Sequence, residues 1–331
     1  MPDEMIAFGP VPSRRLGQSL GINNIPPKSC SYSCAYCQVG RTPTRRIDLG
    51  EFYTPETIVS AVTGRVLEIQ RRREPLDFLT FVADGEPTLD LHLGRTLELL
   101  RPLEVRIAII SNASLLWREE VRESLRLADW VSLKVDAVRE EEWRRINRPH
   151  PSLGLGEVLQ GMLDFTTTFE GTLATETILI AGANEADESI AEIGRFLEKL
   201  QPSTAYLGIP TRPPAERWAA PPSERSVTHA YQILSERLSR VELLTGYEGT
   251  GFGTTGNVEA DLLSITSVHP MREDGVRTLL TKSGTDWRLV ESLIQGGLLA
   301  EIEYRNEKFY LRRFPQADAR PTDASEGQDP A

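Results

Sequence analysis

Apolar strand-like segments alternate with helical segments along most of the chain. One of them, residues 106–110, reads Arg-Ile-Ala-Ile-Ile and shows no polar alternation. Such strands are typical of parallel sheets covered on both faces. We therefore expect an α/β fold, either an open, partial βα barrel of about six parallel strands or a doubly wound sheet, because a closed barrel needs eight strands. The predicted strands span residues 19–25, 77–83, 104–110, 130–135, 173–180 and 205–209, and predicted helices begin near residues 54, 91, 116, 140, 156, 188 and 223.

Polar residues and glycine directly follow these predicted strands. Residues 83–87 (Ala-Asp-Gly-Glu-Pro) follow the second strand, Ser111 and Asn112 follow the third, and residues 208–212 follow the sixth. The carboxyl ends of parallel strands meet at one edge of a sheet, and this edge carries the functional site in such folds. We therefore expect these residues to form one rim.

The composition is that of an ordinary soluble globular protein and excludes disordered, collagen-like and disulfide-stapled chains. No apolar run approaches the length of a membrane span, and residues 1–10 do not resemble a signal peptide, so we expect a cytoplasmic protein without a membrane partner. The net charge of −11 disfavours non-specific binding to nucleic acid by the whole surface. Residues 1–50 are the exception, with six Lys and Arg against three Asp and Glu.

The chain has three cysteines, Cys30, Cys34 and Cys37, and all lie in one short segment. They could be small buried side chains, but the prolines, serines and lysine around them argue against burial. A disulfide would leave one cysteine over, and a structural zinc needs four ligands. The histidines lie far away in sequence. Three thiolates on one loop therefore favour a [4Fe–4S] cluster with one iron open to a small molecule.

The spacing Cys30-x3-Cys34-x2-Cys37, with Tyr36 just before the last cysteine, resembles the signature of the radical S-adenosylmethionine (radical SAM) enzymes. The resemblance implies that the open iron chelates the amino and carboxylate groups of S-adenosylmethionine. It also implies that one electron from the cluster cleaves the sulfonium to give a 5′-deoxyadenosyl radical. An external electron donor of the flavodoxin or ferredoxin type is implied as well. In that family the barrel is open, which favours the partial barrel over the doubly wound sheet.

The segment 84–87 resembles the GGEP loop of the same family, with Asp84 in place of the first glycine. The resemblance implies that the backbone near Gly85 and the carboxylate of Glu86 bind the amino group of the cofactor. Ser111 and Asn112 resemble residues that contact its carboxylate or ribose, although either could instead cap the following helix.

Two further rim residues are candidates for the cofactor site. Tyr36 is the aromatic residue of the radical SAM signature, and the resemblance implies that it lies beside the cofactor. Asp136 either faces the cavity or pairs with Lys134, which lies two residues away on the same face of a strand. Residues 178–185 weakly resemble the GxIxGxxE run that packs the adenine. No catalytic residue is assigned from the sequence.

The segments 8–17, 25–28 and 38–42 resemble a branch of the superfamily related to the wyosine-type tRNA-modifying enzymes. A nucleoside in RNA is therefore the first candidate substrate, with a peptide or a small metabolite as alternatives. Several arginines could hold substrate phosphates, balance the anionic cluster or face water. These are Arg14, Arg15, Arg41, Arg45, Arg46 and Arg212.

The chain is expected to divide at a glycine-rich segment. We predict a partial barrel over residues 1–245, a linker or lid over 246–256, a winged-helix-like domain over 257–314 and a disordered acidic tail over 315–331. The third region contains three helical patterns, residues 258–268, 272–280 and 287–296, followed by a hairpin over 302–311. Its nine acidic and eight basic residues give no strong DNA-binding signal, which favours contact with protein or substrate.

Two functions follow from these features. The first is a radical SAM enzyme of the oxidoreductase or lyase type. The second is a regulator in which an iron–sulfur cluster senses redox state and a winged helix binds DNA. The second needs neither Glu86 nor a cofactor rim, and the acidic C-terminal region counts against it.

Overall fold

The structure is a computed structural model that describes residues 6–82, 84–246 and 249–313. The strands are β1 (Ala7–Ser13), β2 (Gly17–Ile22), β3 (Phe78–Phe81), β4 (Arg106–Ser111), β5 (Trp130–Lys134), β6 (Thr172–Ile178), β7 (Thr204–Gly208), β8 (Val241–Leu244), β9 (Met271–Arg272), β10 (Leu299–Tyr304) and β11 (Glu307–Arg312). The helices are α1 (Pro55–Arg72), α2 (Leu93–Leu100), α3 (Glu119–Leu125), α4 (Glu140–Ile146), α5 (Leu155–Thr166), α6 (Asp187–Leu200), α7 (Glu224–Ser235), α8 (Val258–Val268), α9 (Glu273–Lys282) and α10 (Arg288–Gln295).

Strands β1 to β8 form one sheet in chain order. β2 to β8 are parallel to one another, and β1 pairs with β2 in the antiparallel sense. The predicted α/β fold with an open, partial barrel of parallel strands is confirmed. The sheet has one more parallel strand than the six expected, because β8 is short and partly exposed and carries a weak sequence signal.

The edge strand β1 escaped prediction because Pro10 and Pro12 lie within it. Proline lacks the N–H that a central strand donates, and it is tolerated at an edge. Helix α1 shows the opposite case, in which local signals fix the element. Thr54 caps it by accepting a hydrogen bond from the Thr57 N–H, and Pro55 occupies its first turn.

Both faces of the sheet carry buried apolar side chains, which explains why a strand such as β4 shows no polar alternation. One face packs under the helices; for example, Leu79 and Val131 join α1 residues such as Ile58 in the main core. The other face carries a separate cluster of strand and loop side chains. Its buried members are Leu16, Phe78, Ala108, Trp130, Ala174 and Tyr206.

The elements α8–α10 and β9–β11, here called the C-terminal module, have their own core, which includes Leu262, Ile265 and Tyr310. The predicted three helices and hairpin are confirmed, and the hairpin turns at Arg305 and Asn306. The winged-helix class and the domain boundaries stay predictions. The predicted tail, residues 315–331, and part of the predicted linker lie outside the described residues.

The C-terminal module and the residues just before it contact the barrel. Before α8, the Gly253 N–H donates to the Pro10 carbonyl of β1 at 2.7 Å. From β10, the Tyr304 hydroxyl donates to the Pro210 carbonyl, just after β7, at 3.1 Å. The module therefore reaches the edge of the sheet at which the parallel strands end. None of the helices in the described ranges is both long and apolar enough to cross a bilayer.

Candidate active site

A cavity of about 290 Å³ opens at the carboxyl ends of the parallel strands. Every one of the strands β3 to β8 contributes lining residues at or just after its end, and Val268 of α8 adds a wall from the C-terminal module. The expected rim is thus present in the structure. The predicted residues that line it are Cys30, Cys34, Cys37, Tyr36, Gly85, Glu86, Ser111 and Asn112.

The cysteine loop follows β2 and is held by backbone hydrogen bonds to the segment after α4. The Ala35 N–H donates to the Ile146 carbonyl at 2.8 Å. Arg45 extends this contact by donating to the carbonyls of Arg148 and Pro149 at 3.1 and 2.8 Å. Because these partners belong to the folded barrel, the loop is positioned before any cofactor arrives.

The three thiols are free, partly buried and supplied with hydrogen-bond donors. Side-chain amides donate to two of the sulfurs, from Asn112 to Cys30 and from Asn147 to Cys34, each at 3.6 Å. Burial raises the pKa of all three thiols, and at Cys34 burial together with the nearby Asp136 carboxylate raises it to about 12. Three thiolates in this position therefore need a cationic group to balance them.

The donor set fits a [4Fe–4S] cluster better than a single ion. In the part of the chain that the structure describes, no three His, Cys, Asp or Glu side chains come together as a one-ion site. A cluster differs because each thiolate binds its own iron at a separate corner. Hydrogen bonds to the sulfurs, as Asn112 and Asn147 supply here, are a usual feature of such clusters.

The loop that contains Gly85 and Glu86 packs directly against the cysteine loop. The Lys28 N–H donates to the Asp84 carbonyl at 2.7 Å, and the Glu86 N–H donates to the Ser29 carbonyl at 2.9 Å. A Cβ atom at Gly85 would lie 1.9 Å from the Ser29 oxygen. Only glycine permits this approach, so Gly85 fixes the distance between the two loops.

The carboxylate of Glu86 is buried and accepts four hydrogen bonds. Oε1 accepts from the Thr88 N–H at 3.1 Å, the Thr88 hydroxyl at 2.6 Å and the Ser111 hydroxyl at 2.8 Å. Oε2 accepts from the Asn112 N–H at 2.7 Å. Glu86 therefore joins the ends of β3 and β4, a structural task that the sequence did not reveal.

Ser111 and Asn112 both line the cavity. Their side chains accept from the N–H groups of Ala113 and Ser114, each at 2.9 Å, and these bonds close a turn. They cap no helix, because α3 begins only at Glu119, so the capping alternative is wrong. Their contact with a cofactor stays a prediction.

Asp136 lies behind the cavity wall, and the structure does not bring it among the lining residues. Its carboxylate accepts from the Tyr36 hydroxyl at 2.5 Å, the Asn147 amide at 2.7 Å and the Ile178 N–H at 2.8 Å. Asp136 thus orients Tyr36, which lines the cavity, and Asn147, which donates to Cys34. The expected pair with Lys134 is replaced by an ion pair between Lys134 and Glu176 at 3.2 Å.

Glu176 lies inside β6 and was missed because no motif in the sequence marks it. It lines the cavity and is largely buried between Arg15, at 2.8 Å, and Lys134. Burial by itself would raise the pKa of Glu176, but the charges and hydrogen bonds of the two cations outweigh it and lower the pKa to about 2. This carboxylate is therefore ionised at every pH at which the protein is expected to work.

The low pKa of Glu176 predicts a pH-dependent contribution to stability. Because the pKa is lowered on folding, Glu176 stabilises the folded state fully at pH values above its ordinary pKa of 4.5. This stabilisation is lost as the pH falls from 4.5 towards about 2. We expect Glu176→Gln to reduce the free energy of unfolding at pH 6 by about 3 kcal/mol. In urea unfolding, the difference in free energy of unfolding between Glu176→Gln and wild type should shrink below pH 4.5. The control Glu157→Gln, at an exposed position, should keep the wild-type free energy of unfolding at every pH. A deficit independent of pH would contradict the ion-pair explanation.

The candidate phosphate-binding arginines have different environments. Arg15 pairs with Glu176, Arg41 pairs with Glu216 at 2.6 Å, and Arg46 lies over the ring of Phe52. Arg45 donates to the carbonyls of Arg148 and Pro149 and so anchors the cysteine loop. Three of the arginines line the cavity. They are Arg15, Arg212, which donates to Gln38 at 2.8 Å, and exposed Arg14, whose described contact is a long bond of 3.5 Å to the Gly246 carbonyl.

Asp84 is a second residue that the sequence did not single out for a role. It lines the cavity with 1% of its surface exposed, and neither carboxylate oxygen has a hydrogen-bond partner among the described residues. Burial raises its pKa to about 7, although Lys28 and Arg312 act in the opposite direction. The signal that could have found it is its departure from the glycine of the GGEP pattern.

Known proteins resemble this chain in sequence and in fold. A family model described as the radical SAM superfamily matches residues 24–197. The UPF0026 protein MJ1312 of Methanocaldococcus jannaschii is 46% identical over 315 residues, which cover 95% of this chain and 98% of that protein. Among solved structures, a radical SAM methyltransferase from Sphaerobacter thermophilus is similar over 69% of this chain and 66% of its own, with a TM-score of 0.53 and 16% identity. TYW1 with a lysine-pyruvate adduct bound is similar over 68% and 76%, with a TM-score of 0.50 and 14% identity. At these identities the structural likeness shows the fold alone.

Proposed function

The chain belongs to the radical SAM superfamily, and from this premise we propose that it binds a [4Fe–4S] cluster through Cys30, Cys34 and Cys37 and cleaves S-adenosylmethionine reductively. The observation that carries the proposal is the position of the three thiols beside the GGEP-like loop in one cavity. When bound, the cluster would supply one electron for cleavage of the sulfonium. We therefore propose an oxidoreductase or lyase-type reaction that starts with hydrogen abstraction from the substrate.

The chain's own residues then have separate tasks. Gly85 lets the two loops approach, and Glu86 fixes the ends of β3 and β4. Asp136 holds Tyr36 against the cavity. The apolar lining from Val82, Ile110 and Ile178, closed on one side by Val268, supports exclusion of water from a reactive cofactor.

The proposal is tested by S-adenosylmethionine cleavage in air-free protein. Reconstituted protein given dithionite and S-adenosylmethionine is expected to release 5′-deoxyadenosine, measured by liquid chromatography and mass spectrometry. A protein with an intact cluster and no such product would favour the redox-sensing winged-helix regulator. In cells, a flavodoxin or ferredoxin-type donor would replace dithionite.

We propose a nucleoside in RNA as the substrate class. Support comes from the sequence resemblance to the wyosine-type branch and from Arg14, an exposed cation at the cavity mouth. A phosphate-bearing substrate needs such a cation. Adding bulk tRNA to the same assay should raise 5′-deoxyadenosine release above the level without RNA, whereas equal release with and without RNA would favour a peptide or a metabolite.

A further inference from the structure

Two carboxylates lie two residues apart in the same loop, and their environments are opposite. Glu86 accepts four hydrogen bonds from Thr88, Ser111 and Asn112. Three of these bonds fall on Oε1 and one on Oε2, so Glu86 has only one acceptor site, on Oε2, left for a ligand. Asp84 is equally buried, and both of its oxygens lack a partner among the described residues.

A buried carboxylate without donors is costly, and a folded chain keeps one where a ligand completes it. Asp84 lines the same cavity as the three cysteines. The charged groups that act on it are Lys28 from the cysteine loop and Arg312 from β11, and it in turn acts on the thiol of Cys37. Neither cation donates a hydrogen bond to it. Lys28 instead donates to the Gly40 carbonyl at 3.0 Å.

The missing partner should be a hydrogen-bond donor that enters the cavity. Hydrogen bonds to an ionised carboxylate are stronger than those between two neutral groups. The methionine part of the proposed cofactor carries a primary amine, which keeps its N–H donors when its nitrogen binds iron. We propose that in this chain Asp84, rather than Glu86, is the carboxylate that accepts a hydrogen bond from the α-amino group of S-adenosylmethionine. The inference rests on the proposed function and changes which residue performs the binding.

The test compares two ligands in two proteins. Calorimetry on air-free, cluster-loaded protein measures the affinity for S-adenosylmethionine and for its analogue that lacks the α-amino group. Wild type should prefer S-adenosylmethionine strongly, because the analogue loses both the iron contact and the carboxylate contact. Asp84→Asn should reduce that preference by about 10- to 100-fold, the value of one charge-assisted hydrogen bond. The change in preference isolates the interaction between Asp84 and the α-amino group.

Asp90→Asn is the matched control. Asp90 is buried in the same segment, but it is already bonded to the Asn24 amide at 3.0 Å and the His92 N–H at 2.9 Å, and it does not line the cavity. We expect its ligand preference to equal that of wild type. Asp84→Ser, which keeps a small polar side chain, should behave like Asp84→Asn.

The folding of the variants does not confound the result. Since Asp84 accepts no hydrogen bond, Asp84→Asn should not lower the melting temperature of the protein without S-adenosylmethionine. An unchanged ligand preference in a folded Asp84→Asn protein that still binds S-adenosylmethionine would overturn the inference and leave the proposed function intact. Failure of cluster-loaded wild type to bind S-adenosylmethionine at all would overturn both.

Discussion

Cys34→Ser is expected to remove most of the iron and to lower 5′-deoxyadenosine release by at least about 100-fold, because loss of a metal ligand should exceed the 10- to 100-fold cost of losing a group that only orients one. The Cys34 sulfur accepts a hydrogen bond from the Asn147 side-chain amide, as expected for a sulfur that ligates a cluster. Serine oxygen is a poor ligand for iron–sulfur clusters, which prefer soft sulfur. Iron and sulfide analysis with the product assay measures both effects.

Ser29→Ala is the control for this prediction. Ser29 lies in the same loop, and only its backbone has described contacts, through its N–H to Pro26 and its carbonyl to Glu86. Its replacement should leave iron content and product release near the wild-type level. If Cys34→Ser protein kept a full cluster and normal turnover, the assignment of the three cysteines as ligands would be wrong.

The features that could be predicted are those encoded by local sequence. Cysteine spacing, apolar runs and helix caps each act over a few residues, as at Thr54 and Pro55, so the cysteine loop, the parallel strands and the order of the C-terminal helices were predicted. The rim followed from a topological rule, because parallel strands end together. Errors at strand ends and the missed strands β1 and β8 came from prolines or from weak patterns.

The partners of buried polar groups could not be predicted, because they depend on residues far apart in sequence. Glu176 meets Arg15, 161 positions away, and Tyr36 meets Asp136, 100 positions away. The sequence indicated that Asp136 could face the cavity, whereas the fold places it behind Tyr36. Likewise, a motif predicted that Glu86 matters, but only the structure shows that most of its acceptor sites are occupied.

Glu86→Ala should destabilise the protein by about 3 kcal/mol, since it leaves the buried donors of Thr88, Ser111 and Asn112 without an acceptor. The loss is less than the sum of four separate bonds, because the loop can relax and the contributions are not additive. Urea unfolding of the cluster-free chain measures it. Glu86→Gln keeps one acceptor oxygen and should lose about 1 kcal/mol.

The exposed position Glu123 in α3 provides the comparison, because Glu123→Ala should change the free energy of unfolding by no more than about 0.5 kcal/mol. The difference between the Glu86 and Asp84 variants tests the explanation more directly than either variant alone. Truncating Glu86 should cost stability, while Asp84→Asn should not, although the two carboxylates are equally buried and lie two residues apart. Equal destabilisation by both would mean that Asp84 has acquired donors, and a stable Glu86→Ala protein would mean that the junction of β3 and β4 does not depend on this carboxylate.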